Sequence, residues 1–111
     1  MEPHATLREP RVPGGRRGLV EYDDFSCACV IENVSSRGFC LTCLDDFTVG
    51  QVLGLKCELL PGKSIQCKVE VRHYADGTVG VLIVDIDGAS ARVCRELIDE
   101  HYAAQLDRRS I

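Results

Sequence analysis

The sequence of 111 residues predicts a mainly β fold, a six-stranded antiparallel β-barrel followed by a C-terminal α-helix. Three observations carry that expectation. Several short segments alternate apolar and polar residues with a period of two. Strong turn pairs, Pro61-Gly62 and Asp76-Gly77, separate some of them. Near the end of the chain the apolar spacing changes from two to a helical period.

Met1 to Gly18 reads as an irregular, flexible basic arm. Pro3, Pro10 and Pro13 with the pair Gly14-Gly15 interrupt any regular element there. The domain proper is expected over residues 19–111. Leu19 to Tyr22 is a short strand, and Cys27 to Asn33 a stronger one, rich in small or β-favouring apolar residues. Val34 to Arg37 turns the chain into a third strand, Gly38 to Leu44, on which Phe39, Leu41 and Cys43 share a face.

The fourth strand, Val52 to Leu59, places Leu53, Leu55, Cys57 and Leu59 on one face. The fifth does the same with Ile65, Cys67, Val69 and Val71. Because both apolar rows are odd-numbered, opposed residues must sum to an even number, or one row would turn to solvent. A turn centred on Gly62 meets the condition and sets Leu59 opposite Ile65 and Cys57 opposite Cys67. Val79 to Val84 is nearly continuously apolar and is expected to be buried on both faces. From about residue 89 to 106, Cys94, Leu97, Ile98, His101 and Tyr102 recur at helical spacing, a stripe suited to closing one opening of a barrel. Asp85 and Asp87 favour the start of this helix.

Composition bounds the function. A chain of this length forms one domain with one core. No apolar run approaches the roughly 20 residues that cross a bilayer, and no signal peptide is evident, so membrane insertion is not expected and the location is read as cytoplasmic. Seven cysteines fit a reducing compartment. Net charge is −4. Residues 1–17 carry four arginines against two glutamates, a net charge of +2, so the remaining 94 residues carry a net charge of −6. An acidic body argues against DNA or RNA as a partner, and a basic arm suits a small anionic ligand.

Two groups of residues invite a ligand. Arg8 and Arg11 in the arm present planar donor forks that match phosphate oxygens or a guanine edge and stack on nucleobases. Equally, terminal arginines keep a tail soluble. Asn33 to Gly38 offers amide and hydroxyl groups at a strand end, with Gly38 free of a Cβ, so a ligand can approach the backbone. The same residues also make an ordinary turn. The cysteines point elsewhere. Cys40 and Cys43 have metal or redox spacing but fall on opposite faces of a strand. Cys27 and Cys29 share a face, which makes a pairing across strands conceivable, and Cys57 and Cys67 read as reduced core neighbours. No catalytic constellation, metal site or cofactor is expected, and the protein is not read as an enzyme.

Arginines ahead of the first strand, followed about 22 residues later by Asn33-x-Ser35-x-x-Gly38, resemble the PilZ domain family. Arg11-Val12-Pro13 is similar to the family's approach to the barrel, and Val79 to Asp85 to its last strand. The resemblance implies a six-stranded β-barrel with a helix near one end. It also implies binding of cyclic di-GMP through an Arg-x-x-x-Arg motif and an Asp/Asn-x-Ser-x-x-Gly motif. Arg8, Arg11, Asn33, Ser35 and Gly38 are the ligand-binding residues so implied. The arginines would hold phosphate and guanine, Asn33 and Ser35 would contact guanine and backbone, and Gly38 would turn the chain. The arginine spacing departs from the motif: with Arg11 in the second position, Leu7 occupies the first and Arg8 is its neighbour. The implied function is a bacterial second-messenger effector in motility, biofilm or virulence control. Ordering of the arm would switch a surface for an unidentified protein partner. The alternative is a PilZ-like adaptor that binds no nucleotide.

Overall fold

The computed structural model describes residues 11–109, with side chains through residue 106. Six strands, β1 (Val12–Tyr22), β2 (Phe25–Val34), β3 (Gly38–Cys43), β4 (Val52–Leu60), β5 (Lys63–Ala75) and β6 (Thr78–Ile86), precede one helix, α1 (Gly88–Arg109). All pairings are antiparallel, and the strands close into a barrel in the order β1-β2-β3-β6-β5-β4. The β3–β6 pairing joins segments distant in sequence; the hairpins supply most of the rest.

The core follows the alternation of the sequence. Val20, Ile31, Leu41, Leu55, Val69 and Val79 are fully buried, and Phe39, Leu53 and Ile65 nearly so. Each comes from the inward row of its strand, so the inside of the barrel is filled with side chains. Phe47, from the β3–β4 connection, plugs one mouth and meets the ring of Tyr22 edge-on at 5.4 Å.

Three expectations change. The first strand begins at Val12, so residues 12–18 belong to the barrel and not to an arm; the arm's residues 1–10 lie outside the described residues. A register shift between Pro13 and Arg16, with Gly14 at a φ of 115°, absorbs the residues that read as strand breakers. Pro13 is tolerated because β1 pairs with β4 only over Gly18 to Glu21, leaving its first half with β2 alone. The β4–β5 register has the expected parity but is shifted by two: Cys57 faces Ile65 and Leu55 faces Cys67. The turn is tighter than expected, with Leu60 opposite Lys63 across Pro61-Gly62 and Gly62 at a φ of 74°. That tight turn alone would give odd sums, and a bulge between Glu58 and Leu60 restores even ones, so both apolar rows still face inward. Finally, β6 is not buried on both faces. Val79 and Val81 point inward, Ile83 and Ile86 are partly covered beside α1, and Val84 on the outer face is 46% exposed.

Helix α1 is seated by its first turn. Asp87 Oδ1 accepts a hydrogen bond from Ser90 N at 2.7 Å, an N-cap that holds the Asp87 carboxyl below its ordinary pKa. Ser90 Oγ in turn accepts from Gln66 N of β5 at 3.0 Å, and Lys63 Nζ pairs with Glu96 at 2.8 Å. Cys94, Leu97 and Ile98 are buried against the barrel, whereas His101 is half-buried and Tyr102 exposed, so the apolar stripe outlasts the surface it covers.

Candidate ligand site

Strands β2 and β3 are joined by residues 35–37, and this turn is knitted by Ser35. Its N–H donates to Gly38 O at 2.9 Å. Its Oγ accepts from Gly38 N at 3.2 Å and from Arg37 N at 3.3 Å, and also donates to Gly38 O at 3.2 Å. Ser35 is 1% exposed. Its hydroxyl therefore shapes the site from beneath instead of lining it.

Gly38 was expected to permit a tight turn, but its φ is not positive. Its requirement is close approach. A Cβ at Gly38 would collide with the Val81 carbonyl oxygen, with the carbonyl carbon only 3.1 Å away. Gly38 lies opposite Leu82 on β6, and Ile83 N donates to Arg37 O at 2.7 Å just beyond. The glycine thus lets β6 run against the base of the turn.

Asn33 emerges at a bulge. The β2–β3 register shifts between Ile31 and Asn33, and bulges commonly re-aim a side chain at a functional site. Asn33 also pairs with Pro13 of β1, which brings the segment before β1 beside the end of β2. Arg11 Nη1 donates to Asn33 Oδ1 at 2.7 Å across 22 residues of sequence. Arg11 and Asn33 thus join the arginine half of the motif to the turn half among the described residues; Arg8 lies outside them. Arg16, also counted in the basic arm, is committed elsewhere: Nε donates to Leu59 O at 3.0 Å and Nη1 to Gly14 O at 2.9 Å.

Sequence reasoning passed over Arg37. It occupies one of the two unspecified positions between Ser35 and Gly38, where nothing but its own charge signalled a role. With Ser36, Leu82 and Ile83 it lines an open hollow of about 320 Å³ beside the turn. Ser36 and Ile83 also line a smaller hollow of about 130 Å³ that reaches Ala91, Cys94 and Arg95 of α1. The surface at the turn is therefore continuous with the base of the helix. Among the described residues no group of three or more His, Cys, Asp or Glu side chains is placed to hold a metal ion, and no helix is long and apolar enough to cross a membrane.

Electrostatics separate the two ends of the barrel. The turn at 35–37, the Pro61-Gly62 turn and the start of α1 share one end, with Arg11 and Arg37. The connections at 23–24, 44–51 and 76–77 share the other. They contain five aspartates (Asp23, Asp24, Asp45, Asp46 and Asp76) and no lysine or arginine. These aspartates disfavour an anion at the second end, whereas the first end carries Arg11 and Arg37 beside Glu58 and Asp87.

The PilZ domain family model matches residues 7–100. The fold is similar to that of the Bacillus subtilis inhibitor of motility MotI/DgrA, with a TM-score of 0.75 at 14% identity. That likeness covers 87% of this chain and 51% of the other, so the chain spans about half the length of that protein. It is also similar to the PilZ domain of CeSA from a cellulose-synthesizing bacterium, with a TM-score of 0.66 at 11% identity, over 84% of this chain and 98% of that one. A search of curated proteins finds no match.

Proposed function

This chain belongs to the PilZ domain family, and on that premise we propose that it is a non-enzymatic receptor for cyclic di-GMP that relays occupancy to a protein partner. The observation that carries the reading is the 2.7 Å contact from Arg11 to Asn33, which joins the arginine half of the site to the turn half. Both side chains reach solvent, in contrast to Ser35 and Gly38. In this reading Arg8 and Arg11 hold phosphate and stack on or bond guanine, since guanidinium offers a bidentate fork and a planar face. Asn33 contributes an amide to a guanine edge. Ser35 and Gly38 act by holding the turn and the adjacent β6 in place. Arg37 adds a cation at the hollow beside them.

The hollow running from Ser36 to Arg95 supports a route for the signal, because a ligand seated at the turn would also meet the base of α1. Motility and biofilm control are the outputs proposed, as the family resemblance implies, with an unidentified protein as the partner.

Calorimetric titration with cyclic di-GMP tests the reading. Micromolar or tighter binding is expected. Arg11→Ala and Asn33→Ala should each weaken it about tenfold or more, the cost of one charge-assisted hydrogen bond. Absence of heat with the native protein overturns it. The spacing of Leu7 and Arg8 favours a second reading, an adaptor that binds partners without nucleotide. A partner captured equally well with and without cyclic di-GMP, beside a failed titration, would select it.

A further inference from the structure

We propose that Cys29 and Cys43 form a built-in oxidative modification site, a thiol pair that hydrogen peroxide converts to a cross-strand disulfide between β2 and β3. The two residues are directly opposed in the β2–β3 ladder, and both point into the barrel. The backbone of Cys43 turns the other way. Its N–H donates to Gly77 O at 2.9 Å, and its carbonyl oxygen lies 3.2 Å from where a Gly77 Cβ would stand. Cys43 therefore spends its ladder groups on the β6 side, so Cys29 and Cys43 form a non-hydrogen-bonded pair. In such pairs the Cα atoms lie about 4.5 Å apart and the side chains approach most closely. That spacing falls inside the range of about 4.4–6.8 Å that a disulfide spans.

The chemistry of the pair singles it out among the seven thiols, all of which are free. Opposed in the ladder, the two thiols act on each other: the Cys43 thiol beside it eases loss of the Cys29 proton, and the Cys29 thiol with burial opposes loss of the Cys43 proton. Burial pushes Cys57 and Cys94 up to about 11 and Cys67 up to about 12, so these thiols stay protonated and unreactive. Neither Cys57 nor Cys67 has a thiol directly opposite it in the ladder: Cys57 faces Ile65 and Cys67 faces Leu55. Cys27 stands diagonal to Cys43, two residues before its ladder partner, and burial with the nearby Cys43 and Asp45 raises it to about 11.

The steps balance with peroxide as oxidant. Cys29 thiolate attacks one peroxide oxygen, forming an S–O bond as the O–O bond breaks, and the released hydroxide takes a proton to become water. Cys43 sulfur then attacks Cys29 sulfur, and the sulfenic oxygen leaves as water with the Cys43 proton. Two thiols are oxidised and one peroxide is reduced to two waters. The new bond staples the strands that flank residues 35–37, joining the middle of β2 to the far end of β3.

The test treats the full chain with hydrogen peroxide, alkylates it under denaturing conditions and maps the peptides by mass spectrometry. The expected result is a loss of two hydrogens in mass, alkylation of all but two of the seven cysteines, and a peptide joining Cys29 to Cys43 that dithiothreitol separates. Cys27→Ser should still form the link and Cys29→Ser should not. The native oxidised protein should also unfold at higher urea than the reduced one, a readout independent of either variant. Alkylation of all seven thiols, a link through Cys27 or between Cys57 and Cys67, or a link abolished by Cys27→Ser would overturn the proposal.

Discussion

Ser35 makes every hydrogen bond of its side chain within its own turn, so its replacement tests architecture more than chemistry. Ser35→Ala leaves the Gly38 and Arg37 amides without their acceptor in a buried setting, and a stability loss of about 1–3 kcal/mol is expected in urea unfolding. Gly38→Ala should cost a similar amount, about 1–3 kcal/mol, because β6 must move away from the Val81 carbonyl contact. Arg11→Ala and Asn33→Ala, by contrast, remove solvent-facing groups and should leave the unfolding midpoint nearly unchanged while weakening ligand. The contrast separates motif residues that build the turn from those that face outward. The sequence already placed Asn33, Ser35 and Gly38 together. It was silent on which of them the fold consumes, because the neighbour that forces a glycine at position 38 is Val81, on a strand distant in sequence.

At the scale of elements, period-two alternation identified the inward rows of β3, β4 and β5 and the parity of their pairing, since a one-residue slip would expose an entire row. The register itself was two residues off. A two-residue turn at Pro61-Gly62 and a bulge near Leu59 reach the same parity by another path, and bulges leave no mark in an alternating pattern. The start of β1 was hidden for a related reason: Pro13, Gly14 and Gly15 read as breakers, yet a strand paired on one side accommodates them in a bulge. Helix α1 was legible, and of the two aspartates read as favouring its start, Asp85 and Asp87, it is Asp87 that caps it. Asp87→Ala should lower the urea midpoint and speed amide exchange in the first turn of α1. The pH dependence has a definite sign. The cap holds the Asp87 carboxyl below its unfolded value, so its stabilisation is complete above the ordinary carboxylate range and is lost as pH falls through the lowered folded value. Acid titration of native protein and Asp87→Ala should therefore converge at low pH; parallel curves would contradict the cap.

The whole molecule is a barrel with two unlike ends. Arg11, Arg37 and the Ser35 turn lie at one, next to the base of α1, and five aspartates in three connections lie at the other. Net charge alone suggested an acidic body. Antiparallel connectivity shows where part of that acidity collects, which the linear order of residues does not reveal. Such polarity predicts that ligand association slows as salt rises, because a small anion is drawn to the basic end. The central claim, that Arg11 and the turn after Asn33 form one cyclic di-GMP site, is tested most directly by following backbone amide resonances during titration with that nucleotide. The predicted result is concerted, saturable shifts at Arg11, Asn33, Arg37 and the first turn of α1, with Asp23, Asp45 and Asp76 unmoved. An unchanged spectrum, or shifts confined to the aspartate-bearing end, would contradict it.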